Sequence, residues 1–164
     1  MAAIKTNEFA LFINTGTPDA PVWARVRKQG ELKIKYDAEV TEEKFVDEAG
    51  PSSSVDSYKV SSDGEMQAYK GDAAFEYLDD LRQNRATGED AETETLKVYM
   101  YDKTGDGETA TYAAEKSKAV IAISEFGGEG GGGKASINYS VTDNGDPQRG
   151  TVKLTEGAPT FTAA

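Results

Sequence analysis

The stretch LKIKYDAEV, residues 32–40, decides the fold class because apolar and polar side chains alternate in it without a break. A β-strand points successive side chains to opposite faces of a sheet, so this period of two predicts a strand with one buried and one solvated face. The apolar face is formed by Leu32, Ile34, Tyr36, Ala38 and Val40. Two lysines, an aspartate and a glutamate form the polar face.

The same alternation extends outward from this stretch in both directions. It recurs in residues 96–101 and 134–142, and Val152 and Leu154 continue it near the C-terminus. Further strands are predicted at 9–13, 22–27, 57–61, 65–69 and 110–126. The last of these changes face near Lys116–Lys118, which predicts a β-bulge. The chain is therefore expected to be mainly β.

One segment, GDAAFEYLDDLRQNRATG at residues 71–88, predicts a helix instead. Asp72 stands at the N-cap, arginines follow in the last turns, and Gly88 is a stop signal, so the helix should span 73–86. Phe75, Leu78 and Leu81 recur at helical spacing on one side. We expect this stripe to cover one face of the sheet.

Composition excludes several classes of function. The chain has 164 residues with 29 acidic and 18 basic side chains, a net charge of −11, and neither His nor Cys. Disulfides, thiolate or imidazole metal sites, cysteine nucleophiles and Ser-His-Asp triads are thus excluded. The acidic balance argues against broad nucleic-acid or anionic-membrane binding. We expect no cofactor.

Apolar runs are short, and the N-terminal MAAIKTNEF lacks the apolar core of a secretory signal. The sequence therefore predicts a protein that is made inside the cell and has no membrane partner.

The glycine-rich stretch at 127–133 imitates two phosphate-binding motifs. Gly128, Gly130 and Gly133 fit G-x-G-x-x-G, and Gly128 to Lys134 fits the P-loop pattern. Both motifs need a helix N-terminus, whereas the following residues alternate as a strand, and Ala135 replaces the Ser or Thr of the P-loop. The stretch is predicted to be a flexible connector.

Asp102 to Gly107 imitates the start of an EF-hand calcium loop, but its twelfth position is Ala113 instead of Glu. A hairpin turn is the better interpretation, and a calcium site stays open as the alternative. Asp143 to Pro147, with its Asn-Gly and Asp-Pro steps, likewise predicts a turn.

Residues 42–56 form a charged stretch with Gly50-Pro51 and three serines, too long for a simple hairpin connection. A loop of this length is either disordered or used against a partner.

The order of elements resembles that of the major tail tube proteins of long-tailed, siphovirus-type bacteriophages. A strand ending in YKGD leads to the helix FEYLDDLR, then to a strand ending in KVYMYD, and then to a long strand closing on VIAISEFGG. Residues 119–152, which end in SINYSVTDNGDPQRGTV, carry most of the likeness. The run Gly130 to Gly133 departs from the pattern of the family.

The resemblance implies a single tail tube domain over residues 1–164, a β-sandwich or barrel-like fold with one helix outside. It further implies hexameric rings that stack into a tube, with inner sheets joined into a barrel through which genomic DNA passes without specific binding. Expected partners are the chain itself and the tape measure, tail terminator and distal tail proteins. The expected location is the virion tail, after synthesis in the host cytoplasm.

The same resemblance suggests which residues assemble the tube. Contacts between subunits are expected from the N-terminal arm, residues 1–12, and from the long loop, residues 42–56. Candidate contact residues are Phe9, Phe12, Phe45, Val46 and Pro51. Candidate lumen-facing residues are Asp37, Glu39 and Lys59, which share the polar side of two predicted strands.

Alternative functions stay open at the level of sequence. They are a β-sandwich adhesion module of a virion or cell surface, a hydrolase that uses a pair of carboxylates, and the tube protein of a related contractile or secretion system. No pair of acidic residues is singled out by its spacing or by neighbouring aromatic residues, so the chain is not expected to be an enzyme.

Overall fold

A computed structural model describes residues 1–164 and contains eight strands and one α-helix. The strands are β1 (Phe9–Asn14), β2 (Trp23–Arg25), β3 (Gln29–Glu43), β4 (Ser52–Gln67), β5 (Glu92–Thr104), β6 (Thr111–Gly127), β7 (Ser136–Thr155) and β8 (Ala158–Ala163). The helix is α1 (Ala73–Asn84), and short 3-10 helices occupy Thr6–Glu8, Gly88–Ala91 and Gly107–Thr109.

All eight strands belong to one antiparallel sheet in the order β2-β1-β5-β6-β7-β4-β3, and β8 pairs with β7. The prediction of a mainly β fold with one helix is confirmed. The sheet curves, because β2 at one end and β4, next to the strand at the other end, contribute to the same hydrophobic cluster together with α1. A second, smaller cluster lies on the other face.

Strand β1 is buried on both faces and joins the two clusters. Leu11 and Ile13 belong to the larger cluster, whereas Ala10 and Phe12 belong to the smaller one. The continuous apolar sequence FALFI, residues 9–13, explains this, because a strand that is covered on both sides favours apolar residues at successive positions.

The long β6–β7 hairpin bends at irregular positions. Its register shifts between Lys116 and Lys118, which confirms the predicted bulge. The turn predicted at 143–147 is wrong, because β7 runs through this segment without reversing. The residues between Asn144 and Gln148 form a bulge, and Gly145 there has φ +74°. A positive φ at glycine serves a bulge as well as a turn, so the local signal was ambiguous.

Helix α1 begins where its cap predicts. The Asp72 carboxylate accepts hydrogen bonds from the backbone N–H groups of Ala74 at 3.0 Å and Phe75 at 3.2 Å. The helix ends at Asn84, two residues before the predicted end, because Arg85 takes a left-handed conformation. Gly88 does not stop this helix and instead begins the next 3-10 turn.

The predicted long loop is mostly strand. Strand β3 extends to Glu43 and β4 runs unbroken from Ser52, so only residues 44–51 connect them, and the two strands predicted at 57–61 and 65–69 are one. The ladder of backbone hydrogen bonds does not depend on apolar side chains, which is why this polar segment gave no strand signal.

Both glycine-containing stretches connect consecutive strands, as predicted. The β5–β6 connection is a hairpin in which Gly105 and Gly107 have positive φ. Residues 128–135 link β6 to β7, so a strand follows the glycine-rich stretch.

Candidate functional site

The outer half of the β3–β4 hairpin projects beyond the rest of the sheet. Strand β4 pairs with β7 only from Ser61 to Gln67, so the residues farther out have no third strand beside them. We call residues 36–60 the arm. Each of its strands contributes about eight residues, which span roughly 25 Å at about 3.3 Å per residue. Two-stranded hairpins are marginally stable alone, so the arm is suited to pairing with another chain.

One face of the arm is apolar and open to solvent. Directly paired residues share a face, and the pairs on this side are Tyr36–Val60, Ala38–Tyr58 and Val40–Val55. Tyr36 is 54% exposed and Tyr58 is 61% exposed. A contiguous exposed apolar patch of this kind marks an interaction surface.

The opposite face of the arm is polar and carries all three candidate lumen residues. Asp37 lies opposite Lys59, and Glu39 lies opposite Ser57, whose hydroxyl donates a hydrogen bond to the Glu39 carboxylate at 3.2 Å. All of these residues are exposed. The structure therefore places Asp37, Glu39 and Lys59 together on one surface.

The tip of the arm presents two apolar side chains to solvent. Phe45 is 52% exposed and Val46 is fully exposed. The turn is held by local hydrogen bonds, from the Glu48 N–H to the Phe45 carbonyl at 3.1 Å and from the Ser52 hydroxyl to the Glu48 carboxylate at 2.9 Å. Pro51 is also exposed. Three of the five candidate contact residues thus lie at this tip.

The two remaining candidates lie in β1 and differ from each other. Phe9 is half-buried and its ring is centred 5.6 Å from that of Tyr99. Phe12 is 1% exposed and packs with Leu96 and Val98 in the smaller cluster. The prediction for Phe12 is corrected, because its side chain has no surface left for a neighbouring subunit. The N-terminal arm is likewise shorter than predicted, since β1 begins at Phe9.

Sequence reasoning missed the exposed apolar residues of β4. Val55 and Tyr58 were assigned to a loop and to a short strand, although their pairing with β3 completes the apolar face. An extra residue, Asp56, breaks the alternation, because the register shifts between Glu39 and Val40. Strict alternation along β4 alone would put Val55 and Tyr58, which are three residues apart, on opposite faces. Only the pairing with β3 shows that they share one face.

The structure shows the setting of the two stretches whose sequences imitate phosphate-binding and calcium-binding motifs. A strand follows the glycine-rich stretch, so no helix N-terminus is available there for a phosphate. Asp102 to Gly107 lies in a hairpin, and no group of three or more acidic side chains is arranged to hold a metal ion. None of the helices has the length and apolar character needed to cross a membrane.

Comparison with known proteins finds a similar fold among solved structures but no match at the level of sequence. No protein-family model matches the chain, and no curated protein matches its sequence. Among solved structures, a chain from the tail of an empty GTA particle, determined by helical refinement with C6 symmetry, is similar with a TM-score of 0.64 at 13% identity. The match covers 98% of this chain and 100% of the other. At this identity the likeness shows the fold: the chain shares, over its whole length, the fold of a subunit of that six-fold particle tail.

Proposed function

We propose that the chain is a structural subunit whose copies assemble into hexameric rings, and that the rings stack into the tail tube of a phage-type particle. The observation that carries this proposal is the full-length match in fold to a subunit of a tail with C6 symmetry. On this proposal, residues 1–164 act as one tail tube domain with no enzymatic role, and the tail is of the long, siphovirus type.

The arm supports assembly because the outer edges of its two strands have no strand beside them and because more than half of the surface of the large apolar side chains on its apolar face is exposed. Strand β3 forms an edge of the sheet along its whole length, and an open edge of this kind is a template for pairing with another chain. Burying the exposed parts of Tyr36, Val40, Val55 and Tyr58 would contribute roughly 1 kcal/mol for each side chain. Repeated in every subunit of a ring, these small contributions add up to a stable assembly.

The polar face of the arm supports a role in the lumen. When the apolar face and the strand edges are covered by neighbouring subunits, Asp37, Glu39 and Lys59 are left on the free side. A mainly acidic wall repels phosphate, so DNA would slide past without adhering. We propose that these three residues line the channel.

The arm tip and the N-terminus provide the other proposed contacts. The tip reaches a neighbouring subunit through Phe45, Val46 and Pro51. A second, shorter contact segment at the N-terminus consists of residues 1–8 and Phe9. The partners of the assembled tube are the tape measure, tail terminator and distal tail proteins. The protein would be made in the host cytoplasm and reside in the virion tail.

Negative-stain electron microscopy of the purified protein at high concentration tests the proposal. We expect rings or tubes, and two-dimensional averages of rings should have six-fold symmetry. A species that stays monomeric at every concentration and ionic strength would refute the proposal and favour a surface-displayed binding module.

Variants of the arm test which surface drives assembly. Deleting residues 47–54, or replacing Val55 and Tyr58 with Ser, should leave a folded domain that no longer polymerises. The control is Ser57→Ala, which lies between these positions on the polar face and should still form tubes. Normal tubes from the deletion or from the Ser variant would contradict the assigned role of the arm.

The lumen assignment requires a functional readout. Replacing both Asp37 and Glu39 with Lys should permit assembly while impairing DNA delivery by the particle, because phosphate would adhere to the wall. Unchanged infectivity of particles built from this variant would show that these side chains do not line the channel.

A further inference from the structure

Three cationic side chains at the base of the β3–β4 hairpin lack an acidic partner in the protomer. Arg25, Arg27 and Lys28 take part in none of its six ion pairs, although the chain has a net charge of −11. Arg25 is half-buried. Partial burial, together with the like charge of Arg27, lowers the pKa of the Arg25 guanidinium, so its charge is not compensated internally.

These cations line a groove of about 400 Å³ whose walls include the apolar side chains of Phe9, Val26 and Leu32. Its only carboxylate, Glu31, is already bound by Lys33 at 2.5 Å. We call this surface the basic groove. Lys28 is held in place, because its ammonium lies 3.4 Å from the centre of the Tyr69 ring. The groove is therefore lined by three cationic side chains and three apolar ones.

The arm tip has the complementary composition. Residues 39–56 contain six acidic side chains and one lysine, Lys44. Within the sequence EEKFVDE, residues 42–48, the exposed Phe45 and Val46 are flanked by two acids on each side. An apolar pair with acidic flanks is the chemistry that a cationic groove with apolar lining residues binds.

A chain cannot place its own tip in its own basic groove. The three cations of the groove precede β3 in the chain, whereas the tip follows the far end of the same strand. Fourteen residue steps separate Gln29 from Glu43, which amounts to roughly 45 Å at about 3.3 Å per residue. The tip can reach the groove of another copy only.

We infer that residues 42–48 of one copy dock in the basic groove of a second copy in the adjacent ring. The inference rests on the proposed function and specifies which surface receives the tip. Two different surfaces meet in such a head-to-tail contact, so it propagates along an axis instead of closing on itself. The charge polarity of the hairpin thus gives the stack its direction.

Charge reversal tests the docking. One variant carries Arg25→Glu, Arg27→Glu and Lys28→Glu, a second carries Glu42→Lys, Glu43→Lys, Asp47→Lys and Glu48→Lys, and a third combines both sets. We expect each single set to give rings that do not stack, because like charges then meet, and the combined set to regain tubes. The control, Lys103→Glu with Lys118→Glu and Lys153→Glu, matches the first variant in net charge and should form tubes.

Tubes of wild-type length from the first variant would overturn the docking while leaving the proposed function intact. Absence of rings and tubes from the wild-type protein would refute the proposed function itself.

Crosslinking keeps the test independent of whether the multiply substituted variants fold. The chain has no cysteine, so a variant with Arg27→Cys and Glu43→Cys contains only the two introduced thiols. Oxidised tubes of this variant should give a ladder of disulfide-linked multimers on a non-reducing gel. The control, Arg27→Cys with Glu89→Cys, should give none. Oxidised tubes without a ladder in the first variant would overturn the docking.

Discussion

The buried ion pair between Lys97 on β5 and Asp143 on β7 allows a quantitative prediction about stability. The side chains are 1% and 6% exposed, and the Lys97 ammonium lies 2.5 Å from one carboxylate oxygen of Asp143. The other Asp143 oxygen and the nearby hydroxyls of Thr95 and Ser117 are buried without hydrogen-bond partners. The negative charge of Asp143 is therefore compensated mainly by the Lys97 ammonium.

Replacing Lys97 with Met removes the cation and leaves the carboxylate buried. Breaking a buried pair in this way costs about 3–5 kcal/mol, because the remaining charge is desolvated without compensation. For a chain of this size about 1 kcal/mol corresponds to roughly 2–4 °C, so the melting temperature should fall by about 6–20 °C. The double variant Lys97→Met with Asp143→Leu should recover most of the loss, because an apolar pair of similar volume is often as stable as the ion pair.

Urea unfolding followed by circular dichroism measures these differences, at two dilute protein concentrations so that assembly does not contribute. The control is Lys103→Met, which breaks a pair with Asp106 at 3.0 Å in which the side chains are 41% and 98% exposed. This change should cost no more than about 1 kcal/mol. A loss of stability from Lys97→Met as small as that of the control, or a double variant no more stable than the single one, would refute the dependence of Asp143 on Lys97.

Three further predictions concern the cap, a close contact and alkaline pH. Asp72→Ala should lower the free energy of unfolding by about 1 kcal/mol, since two helix N–H groups lose their acceptor, and Asp72→Asn should restore it in urea titrations. Gly64→Ala should cost about 1–3 kcal/mol because the added carbon would lie 2.5 Å from the Tyr139 hydroxyl, whereas Gly30→Ala, with nothing within 4 Å, should be nearly neutral. Burial raises the pKa of Tyr99 and Tyr139, so these phenols stay neutral in the folded protein while unfolded tyrosine ionises near about pH 10. Their contribution to stability is complete below about pH 10 and is lost above it, and phenolate absorbance of these two tyrosines should appear only together with unfolding.

Features that depend on neighbours in sequence were predictable. The Asp72 cap, the helical stripe of Leu78 and Leu81, and the change of face near Lys116–Lys118 all follow from residues within a few positions of one another. The resemblance to tail tube proteins rested on the order of such elements, and the structural match to a particle tail agrees with it.

The sites were less predictable than the elements. Alternation placed Asp37 and Glu39 on one side of a strand, but only the pairing of β3 with β4 brought Lys59 opposite Asp37. Phe12 was misassigned because β1 is apolar on both faces, and periodicity cannot tell a contact residue from a core residue in such a strand.

Residue order and composition were enough to establish the mainly β class, the one helix with its cap, the acidic charge and the lack of thiol and imidazole groups. Tertiary structure alone decided that β4 and β7 continue through polar segments, that β8 joins the sheet, and that the basic groove and the acidic tip lie at opposite ends of one hairpin. The physical reason is that strand pairing joins backbone groups distant in sequence and is largely indifferent to side chains, so periodicity along one segment cannot reveal it.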